Sequence, residues 1–270
     1  MKKWATLLLV MALCLAMPAS TLAEGKLQAI LDAGKLVVAT DAAWAPFEYI
    51  GADGEVTGSD LELAQYIADQ LGVELEVINV AFDSISTYLV NDEADITIAA
   101  MTITDERKET LDFSDPYTIA QQYIIVPQDN ETVATIEDLA GMAIGVHLGT
   151  TGDLLISDEV MMGVLANTGA TAQQYKFLTD AALALQNGEL GAIVCDTMLA
   201  ENLVVVNEGL KCFPLVYADG TANVEEYGIG MKKGEPELVA KINEIIAPIV
   251  EDGTVDQWIV EHSEKASALN

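Results

Sequence analysis

Ala99–Tyr117, AAMTITDERKETLDFSDPY, holds Arg107, the only arginine among 270 residues; the other eleven basic residues are lysines, set against 43 acids. A guanidinium is a rigid planar fork that grips a carboxylate through two parallel hydrogen bonds, which an ammonium cannot do. Thr102 and Thr104, just upstream, carry hydroxyls able to bond the same anion. The plain alternative is an exposed helix arginine paired with Glu106, a contact of little energetic weight. Read outward from this stretch, Ala94–Ala100 is an apolar strand and the Thr-x-Thr segment a loop. A short helix with an acidic start follows, and Phe-Ser-Asp-Pro-Tyr leads out of it.

At the N-terminus, Lys2 and Lys3 precede an apolar run from Trp4 to Met17, then Pro18 and small residues ending at Ala23. This order reads as a secretory signal peptide, residues 1–23, rather than a membrane anchor. Cleavage after Ala23 leaves 247 of the 270 residues, and loss of the two lysines takes the formal charge from −31 to −33. Such a field repels nucleic acid and anionic membranes and gives cationic ligands a mild advantage in encounter. Of the cysteines, Cys14 lies in the leader without the small preceding residue of a lipoprotein. Cys195 and Cys212 sit in apolar runs and read as small buried thiols. No spacing of Cys and His suggests a metal site, and no cofactor is implied.

Lys35–Thr40 (KLVVAT) is a short strand and Asp41–Tyr49 a loop, since Pro46 disfavours helix at Ala45. Ser59 or Asp60 caps an amphipathic helix to Leu71, with Leu61, Ala64, Ile67, Ala68 and Leu71 on one face and Gly72 ending it. Glu74–Val80 is a strand, Ser84–Leu89 helical, and Ala94–Ala100 a strand. A second unit repeats the alternation. It has strands at Tyr123–Pro127, Met142–Leu148, Gly191–Asp196 and Lys211–Val216, and helices over Asp153–Leu165, Asp180–Gln186 (capped by Thr179) and Thr197–Val205. A strand at Tyr227–Met231 precedes helices starting at Pro236 and Val255, with a kink expected at Pro248. The βαβ order predicts α/β architecture with helices on the faces of parallel sheets.

In an open α/β sheet, ligands bind beyond the carboxyl ends of the strands. Those ends carry Asp41 and Trp44, Phe82, Thr102 shortly before Arg107, Gly149-Thr150-Thr151, and Asp196. Together they supply aromatic faces, one guanidinium, hydroxyls, helix-opening amides suited to an anion, and two carboxylates. That set matches a zwitterion with a side chain.

The stretch from Ala94 to Tyr117 resembles the amino-acid-binding proteins of ABC importers, the bacterial solute-binding proteins of family 3. So do VATDAAWAPFEY (38–49), GTTGD (149–153), AIVCD (192–196), EEYGIGMKKG (225–234) and EDGTVDQWI (251–259). The resemblance implies a two-lobed α/β periplasmic binding protein type II fold, with residues 24–118 and 226–270 in lobe 1 and 119–225 in lobe 2. Crossovers near Tyr117–Gln121 and Val224–Tyr227 would form the hinge, with the ligand between the lobes. It further implies that Arg107 and Thr102 hold an α-carboxylate with the Thr151 amide, and that Asp196 and the Ala100 carbonyl hold the α-ammonium. Trp44 and Phe82 would sandwich the side chain, and Asp41, His147 and Cys195 would tune specificity. The family often has glycines where this chain has Ala100 and Ser84.

The function implied is a non-catalytic, monomeric receptor outside the cytoplasm, periplasmic or extracellular, that hands a free amino acid to an ABC permease. Asp41 beside two aromatic rings favours a polar or cationic side chain. Two alternatives stand beside it. One is an enzyme, either a dehydratase of cyclohexadienyl or arogenate type on the same fold or a thiol enzyme using Cys195 with His147. The other is a sensor that acts on a membrane partner.

Overall fold

The computed structural model describes residues 25–269, so the signal-peptide reading lies outside the described residues. The first sheet grows from a short leading helix, α1 (Lys26–Ala33), into β1 (Lys35–Thr40). β2 (Ala43–Trp44), β3 (Glu48–Ile50) and β4 (Val56–Thr57) form a small antiparallel sheet where a loop was expected. Trp44 pairs with Glu48 across the turn that holds Pro46. α2 (Ser59–Leu71) buries Leu63, Ala64, Ile67 and Ala68 and ends at Gly72, whose φ of 71° lets its amide return to the Ala68 carbonyl. Neither Ser59 nor Asp60 caps α2. Gly58 takes the N-cap position, and Asp60 points inward, accepting from the Ala100 amide (2.8 Å) and the Tyr117 hydroxyl (2.9 Å).

β5 (Glu74–Asn79), α3 (Ile85–Val90), β6 (Ile96–Thr97), α4 (Arg107–Thr110) and β7 (Leu111–Phe113) complete this half. The strand expected over Ala94–Ala100 keeps only two residues of ladder. The chain leaves the sheet before Ala100, which adopts φ 46°, a left-handed conformation unusual for a side chain with a Cβ.

β8 (Thr118–Pro127) runs ten residues into the second sheet. There follow β9 (Ala143–His147), α5 (Thr151–Met161), β10 (Thr171–Tyr175), α6 (Leu178–Gln186), β11 (Ala192–Asp196), α7 (Thr197–Val206) and β12 (Leu210–Pro214). Two expected starts move. α5 begins at Thr151, because the Thr150 hydroxyl accepts from the Asp153 amide. α6 begins at Leu178, ahead of Thr179, and the polar strand β10 had not been expected. The chain returns through β13 (Val224–Tyr227) to β14 (Gly230–Lys232) and closes with α8 (Pro236–Glu251) and α9 (Thr254–Ser267). α8 continues through Pro248 for a further three residues.

Among the described residues, one sheet has the order β5-β1-β6-β14-β7 and the other β10-β9-β11-β8-β12, with β13 paired to the first half of β8. β1 lies parallel to β5 and β6, and β9 parallel to β10 and β11. The two passages between the sheets are therefore one antiparallel pair, from Thr118 opposite Tyr227 to Gln121 opposite Val224. Ala39, Ile85 and Leu111 are sealed beside the first sheet and Ile144, Val146 and Ile156 beside the second, while a larger apolar cluster joins Leu36, Val38 and Ile67 to Ile125 and Ile193 of the other half. No helix among the described residues is long and apolar enough to cross a membrane.

Candidate functional site

The carboxyl ends of the strands from both sheets meet in one cleft. Trp44, Phe82, Ala100, Thr102 and Arg107 come from the first sheet, and Thr150, Thr151 and Asp196 from the second; they line a single enclosed space. About 10 Å³ remains open between them, the room of roughly one water, so an amino acid enters only if the halves part.

Arg107 is no exposed partner of Glu106. It opens α4, where its amide donates to the Thr104 hydroxyl (3.1 Å), and its half-buried guanidinium turns into the cleft. One nitrogen donates to the Thr102 carbonyl (2.7 Å) and the other to the Gly149 carbonyl (3.2 Å), which belongs to the opposite sheet. The guanidinium carbon also stands 5.3 Å from the centre of the Phe82 ring. Gly149 has φ 81°, and a Cβ there would lie 3.2 Å from that of Asp83, so the facing backbones approach as closely as they do because this residue is glycine.

Asp196 ends β11 and accepts from the Gln122 side-chain amide and the Tyr227 hydroxyl. Burial, then the facing charge of Glu225, raises its pKa to about 7, against the pull of Tyr227, Gln122 and Arg107. The Thr102 and Thr151 hydroxyls both donate to Glu225, each at 2.6 Å. Gln122, Glu225 and Tyr227 are thus buried behind the residues that line the cleft and hold three of them by hydrogen bonds, although none stood among the expected site residues. The signal available was the strand alternation of VEEY, which buries Glu225 and Tyr227 and exposes Val224 and Glu226.

At the other end of the cleft His147 stacks on Trp44, with ring centres 5.2 Å apart, and lies 6.2 Å from Phe82. Its Nδ1 and the Trp44 indole nitrogen are buried without a hydrogen-bond partner. Burial lowers the His147 pKa, so the ring is neutral at pH 7. Asp41 accepts from the Phe82 amide (2.9 Å) and lies 3.7 Å from His147 Nε2; burial raises its pKa to about 6.

Cys195 is the exception among the residues expected in the cleft. Strand alternation in β11 sends Asp196 to the cleft and Cys195 into the apolar core. Burial pushes its thiol well above the usual range, and its side chain lies in the core and not beside His147 in the cleft. Both Cys195 and Cys212 are free thiols.

Two α/β lobes joined by a pair of crossover strands, with a guanidinium and a carboxylate facing each other in the cleft, define a type II periplasmic binding protein. The chain belongs to the bacterial extracellular solute-binding proteins, family 3, whose family model matches residues 36–263. The L-cystine-binding protein TcyJ of Escherichia coli K12 is 32% identical over 234 residues, covering 86% of this chain and 84% of that protein. An amino-acid ABC transporter substrate-binding protein, AbpA of Streptococcus pneumoniae, solved bound to L-arginine, superposes with a TM-score of 0.81 at 30% identity, covering 88% of this chain and 98% of that one. The ancestral amino-acid-binding protein AncCDT-1, described as a precursor of cyclohexadienyl dehydratase, superposes at 0.77 with 31% identity, over 87% and 98% of the two chains.

Proposed function

We propose that this protein captures a free amino acid outside the cytoplasm and delivers it, as a monomer and without chemistry, to the permease of an ABC importer. The carrying observation is the opposition of Arg107 to Asp196 across a cleft that opens between two sheets. In this reading the guanidinium exchanges its two carbonyl partners for the α-carboxylate, helped by Thr102 and the Thr151 amide at the start of α5. The α-ammonium goes to Asp196 and the Ala100 carbonyl. The side chain lies between Trp44 and Phe82, with His147 and Asp41 at its far end. Residues 24–118 and 226–270 move as one lobe and 119–225 as the other, about the β8–β13 pair.

A carboxylate beside two aromatic rings suits a cationic or amide-bearing side chain, and the bound arginine named for the pneumococcal relative agrees with that preference. Asp196, the carboxyl group given to the ammonium, is engaged by Gln122 and Tyr227, which suits binding more than proton transfer. The test is a thermal-shift and calorimetric screen of all common amino acids. A ligand at 100 times its Kd adds about 2.7 kcal/mol of stability. A screen without any binder refutes the receptor reading, leucine as the best ligand refutes the polar pocket, and turnover of arogenate or prephenate refutes a purely binding role.

A further inference from the structure

Glu225 stands in the second crossover strand, 6% exposed, and has no part in the grip just described. Its Oε2 accepts from the Thr102 and Thr151 hydroxyls, and its Oε1 accepts from the Gln122 side-chain amide at 3.2 Å. Thr102 belongs to the half built on the first sheet, Thr151 opens α5 in the other, and Gln122 lies in β8, the first crossover. One buried carboxylate thus ties both halves and both crossover strands.

A hydroxyl has a single proton. A threonine that donates it to Glu225 cannot donate it to a ligand carboxylate, which leaves that anion to Arg107 and to backbone amides, those of Thr102 and Thr151 among them. We propose that Glu225 is the clasp that holds the two lobes closed, and that it is a positioning residue acting through Thr102 and Thr151 instead of touching the ligand. Opening then breaks the charge-assisted hydrogen bond from Thr102, the one of the two that crosses to the first lobe when Glu225 stays with the second. Every amino acid benefits equally from the clasp, whatever its side chain.

The affinity arm of the test rests on the amino-acid reading, whereas the closure arm needs no ligand. Small-angle scattering of the ligand-free protein, wild type against Glu225→Ala, gives a larger radius of gyration in the variant if the clasp is real. Thr102→Ala, which removes the hydroxyl of the first lobe alone and leaves the buried acid in place, gives the same opening and guards against a folding defect in Glu225→Ala. In calorimetry Glu225→Ala weakens an amino acid and its 2-hydroxy analogue by the same factor, between about tenfold and a hundredfold. Unchanged dimensions in both variants overturn the proposal, as does a loss confined to ligands that carry an ammonium, since Glu225 would then be touching it. A wild-type protein that binds no amino acid, yet opens when Glu225 is removed, defeats the ligand reading and leaves the clasp standing.

Discussion

Replacing Arg107 should abolish amino-acid binding and leave the fold intact. The side chain is half-buried at the end of the cleft, and its two hydrogen bonds go to the Thr102 carbonyl at 2.7 Å and the Gly149 carbonyl at 3.2 Å, which the bound carboxylate would replace. Truncation to alanine leaves that carboxylate desolvated and unpaired, a loss of about 2–5 kcal/mol. At about 1.4 kcal/mol per decade this weakens binding by roughly 30-fold to several thousandfold. Arg107→Lys should recover only part of this, because a single ammonium cannot span the two acceptors that define the fork. Isothermal titration with the best ligand of the screen, beside a far-UV spectrum and a ligand-free melt, separates loss of binding from loss of structure. Affinity within threefold of wild type in Arg107→Ala would refute the assignment of the carboxylate seat.

Asp196→Asn should cost an amino acid more affinity than it costs the 2-hydroxy analogue, because in the proposed grip the carboxylate faces the ammonium alone; equal losses on titration would count against this role. Because Asp196 titrates at about 7 beside Glu225, Tyr227 and Arg107, and an ammonium favours its ionised form, affinity should fall by up to about tenfold per pH unit below that value; calorimetry between pH 8 and 5.5 reads it. The same raised acids set the sign for stability. Asp41 and Asp60 at about 6 and Asp196 at about 7 bind protons in the folded state that the unfolded chain, near pH 3.9, has already released. Their contribution is fully present below about pH 4 and lost as pH rises through 6 to 7, so ligand-free melts should drop from pH 5 to pH 8. Ala100→Gly should raise stability by about 0.5 kcal/mol, the relief of a φ of 46° less the extra freedom of an unfolded glycine; the denaturation midpoint measures it.

The strand ends were legible in the sequence because each buried strand is a short apolar run stopped by a polar residue. KLVVAT stops at Asp41, and AIVC stops at Asp196. Arg107 was legible from its rarity. What sequence reasoning missed has a common cause: the direction of a polar side chain is set by its partner strand. Glu225 and Glu226 are adjacent acids that read alike, yet pairing opposite β8 turns Glu225 inward to two threonines and Glu226 outward. Asp60 looked like a helix cap because it follows Gly58 and Ser59, but the nearby Ala100 amide offers a buried donor that the helix end does not match. β10, TAQQY, has no apolar alternation because it is the polar edge of its sheet. The glycine the family often carries near Ala100 is also accounted for, since the backbone there is left-handed.

The clearest argument for a cationic side chain comes from the sum of charges in the cleft. Arg107 faces Asp196 and Glu225, and a zwitterion adds no net charge, so the ammonium end closes one positive charge short of balance unless a proton is retained there. Glu48 and Asp60, buried below Ala100, are both raised by burial, Glu48 also by the charge of Asp60, and they add no cation. At the far end Asp41 accepts from the Phe82 amide and meets a neutral His147, and among the described residues no lysine or arginine forms an ion pair with it. A ligand carrying a positive charge on its side chain would supply that ion pair. One with an aliphatic side chain would leave Asp41 with the Phe82 amide alone. Lysine or arginine therefore complements what this chain lacks, which is a second guanidinium among its 270 residues.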